Sequence, residues 1–190
     1  FRNSIGLAVQ QAPDSDYIRH SDGPVLDRGP NDPYFLASHD VFVEGASWHI
    51  WYLSGLDWLP GDPPGSTYNL RYAVSADGID WQSQGTVAVD FAHPNEIAIA
   101  RPCVMKDGDL WRMWYCYRGT NFNYRLGYAE SHDAVQWTRR DKLAGIATSE
   151  SGWDSDMICY PHVFDQGANR YMLYNGNGYG QSGIGLAVLE

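Results

Sequence analysis

The chain has 190 residues, of which 44% are hydrophobic and 14% aromatic, and its formal net charge at pH 7 is -10. This length allows one body with a sizeable core, and the acidic balance argues against a nucleic-acid partner, whose phosphates need a basic face. No apolar run approaches the roughly 18 residues of a membrane span, and no secretory signal segment is visible. We therefore expect neither nucleic acid nor membrane as a partner.

The cysteines are Cys103, Cys116 and Cys159, an odd number without the spacing of metal ligands. A chain of this length does not need a disulfide framework, so we expect buried free thiols. Together with the lack of a visible signal segment, this favours a cytoplasmic, reducing setting. We expect no metal and no other cofactor.

A phrase of twelve residues occurs three times without a gap and has the chemistry of a β-hairpin. The copies are VFVEGASWHIWY at 41–52, VMKDGDLWRMWY at 104–115 and VFDQGANRYMLY at 163–174. In each copy an acidic or amide residue precedes a glycine, which supplies the positive φ of a tight turn. The returning strand is rich in aromatic residues, which fill the space between packed sheets. The phrase therefore predicts a repeated antiparallel unit.

A second phrase follows each copy and supplies two further strands. It reads LRYAVSADGIDW at 70–81, LGYAESHDAVQW at 126–137 and, truncated, IGLAVLE at 184–190; IGLAV also begins at residue 5. Four antiparallel strands per unit, repeated radially, are typical of propeller blades. A β-sandwich with accidental self-similarity is the alternative, which the gap-free match disfavours.

We therefore predict an all-β fold: a single β-propeller domain over 1–190, built from four-stranded antiparallel blades. The blades are predicted at 1–30 (partial), 41–89, 101–140 and 160–190 (partial). Propellers usually have about four to eight blades, so about three blades do not obviously close a ring. Either the chain is the C-terminal part of a longer propeller, or copies complete one another's rings as a homodimer.

Longer stretches of the sequence resemble a known family. They are IGLAV…DYIRHSDGPVL, WHIWYLSG, LRYAVSADGIDW, EIAIARPCV, WRMWYCYRG, YRLGYAESHDAVQWTRRD, SGWDSDMICYPHVF and YMLYNGNGYGQSGIGLAVLE. Together they resemble an uncharacterised subgroup of bacterial proteins related to the five-bladed propeller glycoside hydrolases of families 32 and 43, and they match the C-terminal three blades. The resemblance implies a five-bladed, glycosidase-like propeller. The missing first two blades would ordinarily carry one or two of the three acids on which the hydrolases rely.

Ligand-facing residues are expected in the loops that enter the innermost strand of each blade, at the central funnel. The residues directly before the three copies of the first phrase are Ser-His-Asp at 38–40, Arg-Pro-Cys at 101–103 and Tyr-Pro-His at 160–162. The three triplets differ from one another, whereas the strands that follow them are alike. This is expected if ligand contacts and the blade scaffold use separate residues. Asp40, Arg101 and His162 are therefore predicted to bind substrate. A metal site shared by His39 and His162 is an alternative, but no carboxylate at a suitable spacing supports it.

Three acidic residues are candidate catalytic groups. Glu96 lies in the apolar run HPNEIAIARP, and Asp154 and Asp156 lie in SGWDSDMICYP. Apolar surroundings raise the pKa of a carboxyl group, as a general acid near neutral pH requires, and glycosidic cleavage needs two carboxyl groups. The resemblance implies approximately the general-acid position for Glu96. The alternatives are that Glu96 forms an ion pair with Arg101 and that Asp154 and Asp156 cap turns before a strand.

Three further side chains are predicted to bind substrate. Arg118 has a planar guanidinium suited to a carboxylate or phosphate, Asn175 has an amide that both donates and accepts hydrogen bonds, and Trp58 has a ring that stacks on a sugar. Structural alternatives stay open for each. In these alternatives, Arg118 and Arg125 fix a connecting loop, and the loop with Asn175 and Asn177 serves only the backbone conformation. Trp58 is then a packed aromatic residue in the insertion 55–68, which is the candidate rim flap.

The sequence thus predicts a carbohydrate-binding propeller that resembles glycoside hydrolases, with a carbohydrate or glycoconjugate as partner. If it is an enzyme, the reaction is glycoside hydrolysis or glycosyl transfer, with Glu96 as the acid and Asp154 or Asp156 assisting. The alternative is a non-catalytic glycan-binding or protein-interaction propeller without the full set of acids. No G-x-S-x-G elbow, P-loop, dinucleotide fingerprint or H-E-x-x-H motif competes with these readings.

Overall fold

The structure is a computed structural model that describes residues 2–189. The outermost positions of the predicted first and last blades, 1 and 190, lie outside the described residues. The strands are β1 (Ala8–Val9), β2 (Ile18–Arg19), β3 (Leu36–Glu44), β4 (Ser47–Leu59), β5 (Gly65–Ser75), β6 (Gln82–Val89), β7 (Glu96–Asp107), β8 (Leu110–Gly119), β9 (Arg125–Ser131), β10 (Thr138–Arg139), β11 (Cys159–Gln166), β12 (Asn169–Asn175) and β13 (Ile184–Val188). Helical structure is confined to a 3-10 turn, Asp141–Leu143, and one short turn, α1 (Asn177–Gly180). The all-β prediction is confirmed.

The strands form blades of the predicted kind. Blade A is the antiparallel meander β3–β4–β5–β6, and blade B is the meander β7–β8–β9–β10. A parallel bridge between Tyr68 and Ala98 joins these two blades. Blade C contains β11–β12–β13, and β1 pairs with β2 as a separate ribbon. The described sheets do not close into a ring.

The hairpin at the start of each blade follows from the repeated glycine. Gly45, Gly108 and Gly167 have φ values of 60°, 59° and 63°, in the left-handed region that tight turns of this kind use. The same backbone conformation recurs at equivalent positions because the same residue type recurs there. The predicted turns are confirmed.

The first strand of each blade is longer than the sequence pattern predicts. β3, β7 and β11 begin at Leu36, Glu96 and Cys159, so the triplets at 38–40, 101–103 and 160–162 lie inside strands, and their assignment to loops was wrong. Each strand instead contains an irregularity in its pairing register. One extra residue in a strand breaks the alternation of inward and outward side chains, which is why the pattern resembled a loop.

The core between blades A and B is built from the aromatic residues of the repeats. The ring nitrogen of buried Trp51 in β4 donates a hydrogen bond to the carbonyl oxygen of Ala134 at 3.0 Å. The rings of Trp111 and Trp137 lie 5.8 Å and 5.9 Å from the Trp51 ring. These contacts cross from one blade to the next, so each blade depends on its neighbour for a complete core.

The three cysteines are buried and free, as predicted. Within residues 2–189, no helix has the length and apolar character needed to cross a lipid bilayer.

Candidate functional site

The innermost strands of the three blades are joined by side chains at equivalent positions of the repeat. Asp40 Oδ2 accepts a hydrogen bond from the Val104 amide at 2.6 Å, which connects blade A to blade B. Cys103 Sγ accepts one from the Val163 amide at 3.2 Å, which connects blade B to blade C. We call these two contacts the blade latches. His162 is the equivalent residue of blade C, and its side chain is exposed.

Each strand irregularity places one residue in a left-handed backbone conformation. These residues are Ser38, Arg101 and Tyr160, with φ of 39°, 56° and 56°. They occupy the same position of the repeat on three adjacent strands. Bulges of this kind turn a side chain away from the direction that a regular strand would give it. The guanidinium of Arg101 in blade B consequently lies over the ring of Tyr160 in blade C, 5.6 Å from its centroid.

Asp40, Arg101 and His162, predicted from the sequence to share a site, are brought together. Desolvation raises the pKa of Asp40 above its usual value, although the amide hydrogen bonds from Val104 and Val41 act in the opposite direction. The charges of His162 and Arg101 also lower it, which places both groups near Asp40. The three predicted residues therefore share one electrostatic environment at the inner strands.

His39 lies near Arg101. Desolvation lowers its pKa, and the positive charge of Arg101 lowers it further, so the neutral imidazole is favoured near neutral pH. Among residues 2–189, no group of three or more histidine, cysteine, aspartate or glutamate side chains is arranged to hold a metal ion.

Next to Arg101 is a cluster of four tyrosines, here called the tyrosine wall: Tyr68, Tyr124, Tyr160 and Tyr179. The hydroxyls of Tyr68 and Tyr124 are hydrogen-bonded at 2.6 Å. The rings of Tyr160 and Tyr179 are stacked, with centroids 6.1 Å apart and planes 29° apart. Tyr124 contacts both at 6.2 Å and 6.0 Å. Tyr179 is 56% exposed, so the wall presents a ring to solvent.

Arg118 lies against the other end of the tyrosine wall. Its guanidinium carbon is 5.8 Å from the ring centroid of Tyr68 and 5.7 Å from that of Tyr124. The wall is thus flanked by two arginines, Arg101 beside Tyr160 and Arg118 beside Tyr68 and Tyr124.

Sequence reasoning missed the tyrosine wall. Its members come from β5, the segment before β9, β11 and the turn α1, so they share no motif or spacing. The available signals were the 13 tyrosines of the chain and the glycine-rich segment around Tyr179, whose own φ is 60°.

Glu96 lies in a different environment, inside a buried ion pair. Its side chain is 1% exposed, and its two oxygens accept hydrogen bonds from Arg139 at 2.6 Å and 3.2 Å. The Ala92 amide donates a further bond at 2.9 Å, and Arg139 also pairs with Asp141 at 2.7 Å. An ion pair was one of the two expectations for Glu96, but its partner is Arg139, and the choice of Arg101 was wrong.

The two aspartates also have partners within the protein. Asp154 is buried and accepts a hydrogen bond from the Tyr174 hydroxyl at 3.1 Å. Asp156 is exposed and accepts bonds from the Asn123 amide group at 3.0 Å and 2.8 Å. In the part of the chain that the structure describes, Glu96 has no hydrogen-bond partner in common with either aspartate.

The asparagines and Arg125 hold the segments next to the tyrosine wall. Asn175 donates to the carbonyl oxygen of Tyr179 at 2.9 Å, which supports the turn that carries this ring. Asn177 accepts hydrogen bonds from the amides of Asp156 and Met157 at 2.8 Å and 3.0 Å. Arg125 donates to the carbonyl oxygen of Asp156 at 2.7 Å.

Trp58 lies in a strand rather than in a loop. β4 and β5 continue past the blade as a hairpin, with Trp58 paired to Ser66, so the predicted insertion 55–68 is a β-hairpin with a short turn at 60–64. The Trp58 ring packs against Phe35 at 5.3 Å and Tyr34 at 6.5 Å.

Solved structures of glycoside hydrolases have a similar fold. A structure described as a glycoside hydrolase has a TM-score of 0.73 and 17% identity, covering 97% of this chain and 56% of that chain. A thermostable family-43 glycoside hydrolase has a TM-score of 0.74 and 16% identity, covering 98% and 63%. The GH32 β-fructofuranosidase of Bombyx mori has a TM-score of 0.61 and 18% identity, covering 80% and 33%. The prediction of a partial propeller is confirmed.

In sequence, the chain is similar to two uncharacterized proteins of Mycobacterium tuberculosis. It is 41% identical over 190 residues to the protein of strain CDC 1551 and 40% identical over 190 residues to the protein of strain H37Rv. Each match covers 100% of this chain and 62% of the relative, so the chain spans less than two thirds of their length. No protein-family model matches the chain.

Proposed function

We propose that the chain binds a carbohydrate at the tyrosine wall and the adjacent inner-strand residues. The observation that carries this proposal is the stack of Tyr160 on Tyr179 with one ring left 56% exposed. Aromatic side chains with one apolar face and one polar tip suit ligands that are themselves amphipathic, as sugar rings are. The glycoside-hydrolase fold of the structural neighbours supports the same class of ligand.

The polar side chains beside the wall supply the hydrogen bonds that a sugar requires. Hydroxyl groups need both donors and acceptors. Arg101 donates, neutral His39 does both, and the tyrosine hydroxyls do both. A ligand lying across the inner strands would therefore meet an aromatic face and a polar rim, as small-molecule sites usually provide.

A glycan array followed by calorimetry with the 190-residue chain tests this proposal. Tyr179→Ala should weaken glycan binding at least about fivefold, within the usual range for aromatic contacts, whereas Tyr179→Phe should retain it. Tyr17→Ala is the matched control, since Tyr17 is 71% exposed and belongs to the N-terminal ribbon region. Absence of binding to every glycan, or equal affinity for Tyr179→Ala and Tyr17→Ala, would contradict the proposal.

We propose that the chain binds the carbohydrate and does not cleave it. Glycosidic cleavage needs two carboxyl groups about 5 to 10 Å apart across the substrate. The ion pair of Glu96 with Arg139 and the bond of Asp154 to Tyr174 support structural roles for both carboxyl groups. A panel of aryl glycosides tests this: turnover that disappears in a Glu96→Gln variant that is still folded by circular dichroism would restore the catalytic assignment.

We also propose that a second copy packs against the open face of blade C when the 190-residue chain is isolated. Alternate residues of β13, namely Ile184, Leu186 and Val188, are exposed apolar side chains on the face where a further blade would pack. His162 occupies the latch position of the same blade. At the other end, Val41 and Val43 are exposed on β3, whereas Phe42 between them packs on Trp111 of blade B.

The mass in solution tests this pairing. The wild-type chain should be a dimer by light scattering, and Leu186→Glu should shift it to a monomer. Glu150→Gln, an exposed change in the segment before blade C, is the control and should remain dimeric. A wild-type chain that is monomeric at all concentrations tested would rule the second copy out.

A further inference from the structure

We infer that the carbohydrate bound at the tyrosine wall carries an anionic group, a carboxylate, sulfate or phosphate, which Arg101 and Arg118 recognise. This rests on the proposed carbohydrate binding and deepens it by naming the chemical class of the ligand.

The two arginines have aromatic rings beside them in place of acidic partners. Six of the eleven arginines form ion pairs with aspartate or glutamate: Arg2, Arg71, Arg112, Arg139, Arg140 and Arg170. Among residues 2–189, the other five have no carboxylate oxygen within 4.0 Å: Arg19 and Arg28 are exposed in the N-terminal region, Arg125 donates to backbone carbonyl oxygens, and Arg101 and Arg118 lie against aromatic rings. The chain has 23 acidic against 13 basic residues, so acidic partners are abundant elsewhere.

Their contacts prepare both guanidinium groups for an incoming anion. An arginine packed over an aromatic ring keeps its charge, and its planar guanidinium can bind an oxyanion in a bidentate manner. Arg101 is exposed and lies in this way over Tyr160, whereas the guanidinium of Arg118 lies beside Tyr68 and Tyr124 and also interacts with their hydroxyl groups. The anionic group would therefore bind next to the rings on which the sugar lies.

The bulge in β7 directs the Arg101 side chain. The same left-handed conformation recurs at Ser38 and Tyr160, so it belongs to the repeated bulge and does not depend on the arginine. A bulge changes the direction of the side chain that it carries. In β7 that side chain is an exposed arginine that has no ion pair among residues 2–189.

The neighbouring acidic group does not balance both guanidinium charges. Asp40 is near Arg101 but forms no ion pair with it among residues 2–189, and its oxygens accept hydrogen bonds from the amides of Val41 and Val104 at 3.1 Å and 2.6 Å. Arg118 is held between tyrosine rings. The two guanidinium groups thus leave excess positive charge at this position of an otherwise acidic chain.

Binding of matched glycans tests the inference. The probes are one glycan in its neutral form and the same glycan bearing a uronate, a sulfate or a phosphate, titrated by calorimetry into the 190-residue chain at low and high salt. We expect at least one anionic form to bind about tenfold tighter than the neutral form, with the preference reduced by salt. Comparison of the three anionic forms identifies which group is recognised.

Variants connect the preference to the two arginines. Arg101→Gln and Arg118→Gln should each remove most of the anion preference, and Arg101→Lys should retain part of it because the charge remains. Arg28→Gln is the matched control: it makes the same charge change at an exposed arginine of the N-terminal region. Circular dichroism and thermal unfolding of every variant verify that it is folded.

The outcomes separate this inference from the proposed function. Neutral and anionic forms that bind equally well, with binding lost in Tyr179→Ala, would leave carbohydrate binding standing and overturn the anionic ligand. An anion preference unchanged in both glutamine variants would overturn the assignment to Arg101 and Arg118. Binding to no glycan at all would overturn the proposed function and this inference together.

Discussion

The carboxylate of Asp40 accepts the backbone amide of Val104 at 2.6 Å and so ties the innermost strand of blade A to that of blade B. One repeat later, the thiol of Cys103 makes the equivalent contact with Val163. An aspartate and a cysteine have little chemistry in common, but each presents an acceptor to an amide of the neighbouring innermost strand. This position of the repeat therefore requires an acceptor and not a particular residue type, because the buried amide of the next blade needs a hydrogen-bond partner.

Removal of the first blade latch should destabilise the fold. Asp40→Ala leaves the buried amide of Val104 without an acceptor, which should cost about 1–3 kcal/mol in the free energy of unfolding. Asp40→Asn keeps an acceptor oxygen and should cost less. Urea denaturation measures both, with Asp109→Ala, at an exposed hairpin turn, as the control. An Asp40→Ala variant as stable as Asp109→Ala would contradict the structural role of the latch.

The ion pair of Glu96 should contribute strongly to stability. Arg139→Ala leaves the buried Glu96 carboxylate without its partner, and the free energy of unfolding should fall by about 3–5 kcal/mol. Arg140→Ala is a close control, because the Arg140 side chain is 53% exposed and pairs with Glu130 at the surface. That change should cost less than about 1 kcal/mol. Equal losses in the two variants would mean that burial of the pair has no energetic consequence.

The thiols should be unreactive in the folded protein. Burial raises the pKa of Cys103 and of Cys159 to about 11, and it also raises the pKa of Cys116. Because the thiolate is the reactive form, Ellman's reagent at pH 8 should react slowly with the native chain. All three thiols should react promptly after denaturation in guanidinium. Rapid reaction of a native thiol would show that its segment opens to solvent.

The contact between blades B and C should weaken in acid. Hydrogen bonds and charge from Arg170 lower the pKa of Asp107 below 3.8. This carboxylate therefore contributes stability above the unfolded pKa, and the contribution is lost as the pH falls through the lower folded pKa. The thermal midpoint should decrease between pH 5 and pH 2.5, and it should decrease less in Arg170→Gln than in the wild type or in Arg28→Gln. Parallel pH curves for all three proteins would exclude this linkage.

Local features of the fold follow from local sequence. The turns at Gly45, Gly108 and Gly167 were predictable because a tight turn depends on a few consecutive residues and on the freedom of glycine at positive φ. The repeated aromatic strands were predictable for a similar reason, since their pattern recurs without a gap. The bulges were not, because an extra residue inside a strand has the same appearance in a sequence as a loop.

The proximity of some candidate residues follows from the repeat. Asp40, Arg101 and His162 do share one environment, because equivalent positions of adjacent blades lie side by side once the repeats stack. The partner of Glu96 was not predictable in this way. Arg139 lies 43 positions away on the outermost strand of the same blade, and only the packed sheet brings the two side chains together.

The sequence by itself determined the repeat, the hairpin turns and the propeller class, because these depend on short-range chemistry copied along the chain. The tertiary structure decided which side chains meet. It gathered Tyr68, Tyr124, Tyr160 and Tyr179 into one wall and left Arg101 beside it in a strained conformation. Such contacts depend on the stacking of blades and on bulges in their innermost strands, which no short stretch of residues encodes.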